Sequence, residues 1–338
     1  AGGEAPGGRA LMGQGAVVTG TMRAAVLASP GATPVEEVEL REPGAGEVRI
    51  RMEGSGVCAS NLAPWEGQPW FEYPFAPGAP GHEGWGVVDV VGTGVSSLAP
   101  GDRVAALTGN AYAEFDIAPE AQVVRLPEAL DGRPFPGEPL GCAMNIFRRS
   151  RIEAGQTVAI VGVGFLGALL TRLAVNAGAR VIGISRRPFS LDVAKEFGAH
   201  ETILMDDHWR VIEEVKSLTG GALCSTVIEA VGKQWPLDLA AEITGERGTL
   251  VIAGYHQDGA RQVNMQLWNW RGLDVINAHE RDPAMYLQGM RDAVDAVASG
   301  ALNPDSLYTH RYRLDELSDA LNATRDRPDG FLKALVMA

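Results

Sequence analysis

The sequence predicts an α/β fold in two parts: a mostly-β N-terminal domain, then a doubly wound parallel sheet with helices on both faces. Three observations predict it. Short β-rich runs separated by Gly/Pro turns fill the chain to about residue 146, with no long amphipathic helix among them. Past Arg151, strand-like runs alternate with helical stretches, the pattern of a parallel sheet joined by crossover helices. A chain of 338 residues is also too long for one ordinary compact core.

Taken in order, residues 1–21 are rich in Gly and Ala and lack the charged start and apolar core of a signal peptide. They read as a disordered extension, with Met22 opening the folded chain. β-rich runs follow at 23–27, 47–52, 86–91, 103–106 and 122–126. In the second half, strands are expected at 157–161, 180–184, 201–204, 226–230 and 248–253. Helices are expected at 165–177 and near 191–197, 208–218 and 236–243. A last strand at 273–278 precedes a helix at 283–299, and 332–337 is strand-like.

Composition narrows the function classes. Apolar content of 46% and charged content of 21% are those of a soluble globular protein. A net charge of −13 argues against general binding to nucleic acid or to anionic membranes. No apolar run is long enough to span a bilayer. Three widely spaced cysteines make no disulfide framework and suit a reducing compartment, the cytoplasm; Cys224 reads as core.

The most informative stretch runs from Thr157 to Gly167. An apolar, β-branched run stops at Gly162, and Gly164 and Gly167 complete a G-x-G-x-x-G that opens a helix at Phe165 and Leu166. Strand, glycine turn and helix start together place backbone N–H groups where a pyrophosphate can sit. The next strand ends at Ser185, followed by Arg186 and Arg187, where NAD binders usually carry a carboxylate for the ribose hydroxyls. A hydroxyl and guanidinium groups bind a 2′-phosphate that a carboxylate would repel, which favours NADP(H) over NAD(H). Two solvated surface arginines would leave NAD(H) open.

Three loops of the β-rich half carry metal-ligand chemistry. They are Gly56-Val-Cys58-Ala-Ser60-Asn61, Pro80-Gly-His82-Glu83-Gly-Trp-Gly86, and Glu138-Pro-Leu-Gly-Cys142. Nitrogen, oxygen and sulfur donors of this kind suit Zn²⁺. Taken singly, Cys58 could be a small buried hydrophobe, His82 a turn residue and Cys142 part of a core.

With G-D-R-V at Gly101–Val104 and the glycine turn, these motifs resemble the medium-chain dehydrogenase/reductase superfamily, in its zinc-dependent alcohol and polyol dehydrogenase branch. The resemblance extends from Met22 to Ala338. It implies a GroES-like catalytic domain over 22–147, a Rossmann-type nucleotide-binding domain over 148–278, and a segment, 279–338, that returns to the catalytic domain. It implies Cys58, His82 and Cys142 as ligands of one catalytic zinc. Glu83 is then an exchangeable ligand or a supporting group. Glu138 is the alternative to Cys142, and thiolate is preferred as the stronger zinc ligand. Ser60 takes the place of the family's proton-relay hydroxyl.

For the cofactor, the resemblance places Ala230, Gly254 and Ala278 at the nicotinamide, with Tyr255, His256 and His279 nearby. Lys333 would reach the pyrophosphate, with weaker support from Asn61. Trp65, Trp70, Phe71 and Tyr73 would wall the pocket, although His256 could equally be a surface loop residue. The run 268–278 resembles the family's subunit-pairing strand and implies a homodimer or homotetramer.

One departure stands out. Gly101–Val104 leads through 105–111 into Tyr112 without a cysteine, so the family's structural zinc lobe has no ligands here. The shortened segment is similar to that of zinc-free quinone reductases. The implied activity is hydride transfer between a nicotinamide cofactor and a secondary alcohol, polyol or sugar-like substrate, or its ketone or aldehyde. Zinc-free NADPH-dependent reduction of an enone or quinone is the alternative, and a non-catalytic nucleotide-binding protein stands behind it.

Overall fold

The computed structural model describes residues 20–256 and 258–338. β1 (Thr21–Ala25) and β2 (Val35–Glu39) pair as an antiparallel ribbon. β3 (Glu47–Gly56), β4 (Gly84–Val91), β5 (Arg103–Ala106), β6 (Phe115–Pro119) and β7 (Val123–Arg125) follow, with a one-turn helix α1 (Leu62–Trp65) between β3 and β4. Helix α2 (Gly137–Ser150) leads into the second half.

There β8 (Thr157–Val161), β9 (Arg180–Ser185), β10 (Glu201–Leu204), β11 (Cys224–Glu229), β12 (Thr244–Ile252) and β13 (Asp274–Asn277) form a six-stranded sheet in the order β10-β9-β8-β11-β12-β13. All its pairings are parallel. This is the doubly wound nucleotide-binding order, with its reversal between β8 and β11. The crossovers are α3 (Phe165–Asn176), α4 (Pro188–Glu196), α5 (His208–Leu218), α6 (Gln234–Ile243) and α7 (Met265–Arg271). After α8 (Pro283–Ala298), β14 (His310–Arg313), α9 (Leu317–Asp326) and β15 (Ala334–Met337) complete the chain.

β15 runs antiparallel to β3, so the C-terminal segment closes the other sheet, ordered β14-β15-β3-β4-β5-β7 with β6 on β3. No helix among the described residues is long and apolar enough to cross a membrane.

The period-2 alternation of β8 explains the layering. Val158 and Ile160 join one apolar cluster, and Ala159 and Val161 join the other. All four are fully buried, as expected of a sheet covered on both faces.

The structure corrects three expectations. Helix α2 lies where no long helix is expected and runs across residue 147. Its start, Gly-Glu-Pro-Leu-Gly, is poor in helix formers, but Glu138 in the first turn and Arg148 and Arg149 in the last complement the helix dipole. Gly141 lets it approach α8 closely, since a Cβ there would lie 2.8 Å from the Met290 backbone nitrogen. Of the supposed extension, Thr21 already pairs with Glu39 in β1, and residues 1–19 lie outside the described residues. In the run 268–278, the first residues belong to α7, and the strand begins only at Asp274.

Candidate active site

The donor group is made by strand register. β3 and β4 pair antiparallel with Ser55 opposite Gly84, so the end of β3 lies beside the start of β4. Cys58, just after β3, thereby meets His82 and Glu83, just before β4. One ligand atom from each of the three lies within 4.8 Å of the others. Gly56 makes room for this, since a Cβ there would sit 1.9 Å from Glu83 Oε2.

His82 is oriented from behind. Its Nδ1 is 2.9 Å from the Pro80 carbonyl, which can only accept, so the proton is on Nδ1 and Nε2 is left for a ligand. Asn61 Nδ2 donates to the same carbonyl at 3.2 Å, and its Oδ1 accepts from Tyr112 at 2.7 Å. Asn61 therefore braces this loop. Burial alone would push His82 down, but its hydrogen bond to Cys58 and the negative charge of Cys58, Glu138 and Glu83 lift its pKa to about 10. A buried group of donor atoms this close together, with carboxylates beside it, is suited to holding a cation.

Glu83 is 1% exposed and meets Lys333, whose Nζ lies 2.7 Å and 2.6 Å from its two oxygens. The second contact is one of charge only, because Glu83 Oε2 has no hydrogen bond of its own. Lys333 also donates to the Val57 carbonyl at 3.0 Å and sits 5.2 Å over the Phe165 ring. The ammonium expected at the pyrophosphate is thus bonded to the donor group while lying against the glycine turn.

Cys142 and Glu138 face this group from α2, one turn apart. Cys142 Sγ donates to Glu138 Oε1 at 3.1 Å. The two stand outside the close trio, yet the charge of Glu138 acts on His82 and that of Cys58 on Cys142. Burial raises the Glu138 carboxyl, aided by the Glu83 charge. Burial, with Glu138 beside it, holds the Cys142 thiol well above its ordinary range. Ser60 is half-buried in the single turn after Cys58, and no side-chain hydrogen bond holds its hydroxyl among the described residues.

The three glycines of the turn do different work. Gly162 has φ of 99°, and a Cβ there would lie 2.4 Å from Val231 Cγ2. A Cβ on Gly167 would lie 2.1 Å from the Gly162 carbonyl oxygen, so that glycine lets α3 pack on β8. At Gly164, the N-cap of α3, a Cβ would meet nothing within 4 Å. This open face, beside the free N–H groups of a helix start at Phe165 and Leu166, is a cradle for an anionic group. Ser185 is buried at the end of β9, and Arg187 Nη1 donates to the Phe331 carbonyl at 2.8 Å.

Sequence reasoning missed Glu229, which is fully buried at the end of β11. Its Oε1 accepts from the Val231 and Gly232 backbone N–H groups at 2.7 Å each, and its Oε2 from His256 Nε2 at 2.9 Å. Arg261 Nε donates to His256 Nδ1 at 3.0 Å, which fixes the neutral tautomer. His256 is thereby tied into a brace between two loops. The brace fixes the turn after Ala230 against Gly254, whose Cβ would meet Glu229 Oε2 at 2.6 Å. A lone carboxylate closing an apolar run was the available signal. Ala278 is buried, and its N–H donates to Ile252; the His279 carbonyl accepts from Arg149.

The aromatic residues divide. Trp65 is buried against α9 and donates to Asn322 at 3.2 Å, so it belongs to that core and not to a pocket wall. Trp70 is exposed, Phe71 packs against Phe75, and Tyr73 donates to the Pro64 carbonyl. Two tyrosines lie within reach of the cluster's charge, Tyr255, expected near the nicotinamide, and Tyr286, which has no sequence signal. Burial, with the charge of Cys142 and Glu138, raises Tyr286, and burial with the charge of Cys58 raises Tyr255.

Residues 44–128 match the alcohol dehydrogenase GroES-like domain family, and residues 166–298 match the zinc-binding dehydrogenase family. A quinone oxidoreductase from Pseudomonas aeruginosa is 31% identical over 73% of this chain and 77% of its own length. A sorbitol dehydrogenase from Halalkalibacterium halodurans is 26% identical over 86% of this chain and 92% of its own. A Sinorhizobium meliloti protein, described as a zinc-binding dehydrogenase and solved bound to NADP, superposes with a TM-score of 0.83. It is 28% identical, over 94% of this chain and 100% of that one. The fold and the paired domains define an oxidoreductase. The chain belongs to the medium-chain dehydrogenase/reductase superfamily, in its zinc-dependent branch.

Proposed function

We propose that this chain is a zinc-dependent dehydrogenase moving a hydride between NADP(H) and a secondary alcohol, polyol or sugar-like compound, or the matching ketone or aldehyde. One observation carries the reading. A single ammonium, Lys333, touches both Glu83 of the donor group and the Phe165 ring at the glycine turn, so metal ligands and cofactor cradle share one cleft.

Cys58, His82 and Cys142 would hold one zinc per chain, with Glu138 the alternative to Cys142; the cysteine-free 105–111 leaves no structural zinc. Glu83 is the exchangeable neighbour, restrained by Lys333. The bound metal would supply a Lewis acid for the substrate oxygen. The chain's own groups do the rest. Pro80 and Asn61 fix the His82 ring. Ser60, with its free hydroxyl, accepts the proton of the substrate hydroxyl and passes it toward the cofactor ribose. Phe165 and Leu166 donate to the pyrophosphate, while Ser185, Arg186 and Arg187 select the 2′-phosphate. Ala230, Gly254 and Ala278 present backbone to the nicotinamide, and the Glu229–His256–Arg261 brace keeps two of those loops in place. Tyr255 and Tyr286 line the substrate side. Holding carbinol carbon and nicotinamide together in a dry cleft is the protein's main contribution.

A second copy would pair on the β13 edge, beside the exposed Met265 and Trp270, to give a homodimer or homotetramer. Three free cysteines suit the cytoplasm. The net charge of −13 argues against general binding to nucleic acid or to anionic membranes.

Zinc-free reduction of an enone or quinone with NADPH is the second reading, favoured by the 31% identical quinone oxidoreductase and the cysteine-free segment. Turnover separates the two. Chelator-treated protein should lose activity on secondary alcohols with NADP⁺ and regain it with Zn²⁺. Undiminished reduction of quinones by the metal-free protein, without alcohol turnover, would reverse the assignment.

A further inference from the structure

Arg186 and Arg187 follow β9 on the nucleotide-binding sheet. Arg327 follows α9, which packs on β14 and β15 of the other sheet. The fold nevertheless joins them, because Arg187 Nη1 donates to the carbonyl of Phe331, four residues beyond Arg327, so the end of β9 lies against the segment that follows α9. Desolvation and then the charges of Arg327 and Arg186 lower Arg187. Arg327 is open to solvent on one side, yet partial shielding by neighbouring protein, and then the charge of Arg186, lowers it too. Asp329 is the one carboxylate whose charge favours protonation of Arg187. No ion pair among the described residues includes any of the three.

In a chain of net charge −13, carboxylates are plentiful, yet among the described residues these three cations form no ion pair and only Asp329 acts on Arg187, so the group is poised for an anion. Two backbone features hold the group in place. Arg187 Nη1 donates to the Phe331 carbonyl at 2.8 Å, joining the end of β9 to the C-terminal segment. Arg327 is held at φ 48°, ψ 63° as it ends α9, its N–H donating to Ala323 at 2.8 Å. That left-handed position is usually given to glycine.

We infer that Arg327 completes the site for the cofactor's 2′-phosphate with Ser185, Arg186 and Arg187, so that NADP(H), unlike NAD(H), is gripped by both lobes of the molecule. The inference rests on the NADP(H) reading above and extends it. A phosphate monoester dianion has enough acceptor oxygens for three guanidinium groups and a hydroxyl. Because Arg327 moves with the catalytic lobe, cofactor selection and lobe engagement become one event. NAD(H), with a bare 2′-hydroxyl, would occupy the same cradle without engaging Arg327.

The test is calorimetric titration of the wild-type protein, Arg327→Gln and Arg327→Gly with NADPH, NADH, 2′,5′-ADP and 5′-AMP. Losing one charge-assisted contact should weaken NADPH and 2′,5′-ADP about tenfold or more in both variants, leaving NADH and 5′-AMP within about twofold. Arg327→Gly suits the left-handed backbone and should be no less stable than the wild type, so its loss of NADPH affinity cannot be put down to misfolding. Amide exchange over 317–331 should slow on adding NADPH, but not NADH, to the wild type, and not in the variants. If both variants keep the wild-type preference for NADPH over NADH, the role of Arg327 is overturned while the NADP(H) reading stands. If the wild type binds NADH as tightly as NADPH, the NADP(H) reading itself fails.

Discussion

Glu83 and Lys333 are the most constrained residues of the site. Both are buried, with side-chain exposures of 1% and 8%. Removing one partner of such a pair leaves an uncompensated charge and typically costs about 3–5 kcal/mol. Lys333→Met should therefore lower unfolding stability by about that amount in urea titrations, and Glu83→Gln with Lys333→Met should recover much of it. A double variant no more stable than the single one would mean that the pair is not the source of the loss. Cys224 belongs to the opposite class. Burial pushes its thiol up to about 12, so it stays protonated at neutral pH. Alkylation of native protein near pH 8 followed by peptide mapping should leave Cys224 unmodified until denaturant is added. Cys58, His82 and Glu83 are legible in the sequence because each sits in a short motif. Glu229, Tyr286 and Arg327 are not, because only long-range chain return gives them their neighbours.

Elements carry the nucleotide chemistry, and the glycine turn offers a paired comparison. Gly167→Ala forces a Cβ to 2.1 Å from the Gly162 carbonyl, so α3 must shift from β8. Overpacking of this kind costs about 1–3 kcal/mol. Gly164→Ala meets open space and should change stability by no more than about 0.5 kcal/mol, as surface substitutions do. It should nevertheless weaken NADPH binding, because the added methyl occupies the cradle. Thermal unfolding and cofactor titration of the two variants check this, and a Gly164→Ala protein with full cofactor affinity would contradict it. The β8–α3–β9 unit is readable because 158–161 is an unbroken apolar run and the turn is spelled in glycine. β2 reads Val-Glu-Glu-Val-Glu and, among the described residues, pairs only with β1, so little burial marks it in the sequence. α2 hides behind its glycines and Pro139, and its stability comes from packing on α8, which no local pattern reveals.

The whole molecule is tied together by its C-terminal segment. Met337 pairs with Gly54 on β3, Lys333 reaches Glu83, and Phe331 receives Arg187. Catalytic and nucleotide-binding sheets therefore share one strap. The β13 edge, flanked by Trp270 at 88% exposure, is suited to pairing with a second copy. Trp270→Glu should shift sedimentation velocity from dimer or tetramer toward monomer; a wild-type monomer would refute the pairing. The central claim is that the clustered donors hold a catalytic zinc. Its most direct test is metal content per chain in protein purified without added metal or chelator, beside Cys58→Ala. About one zinc per chain, lost in the folded variant, is the predicted result. Well-folded, NADPH-binding wild-type protein with no zinc would contradict it.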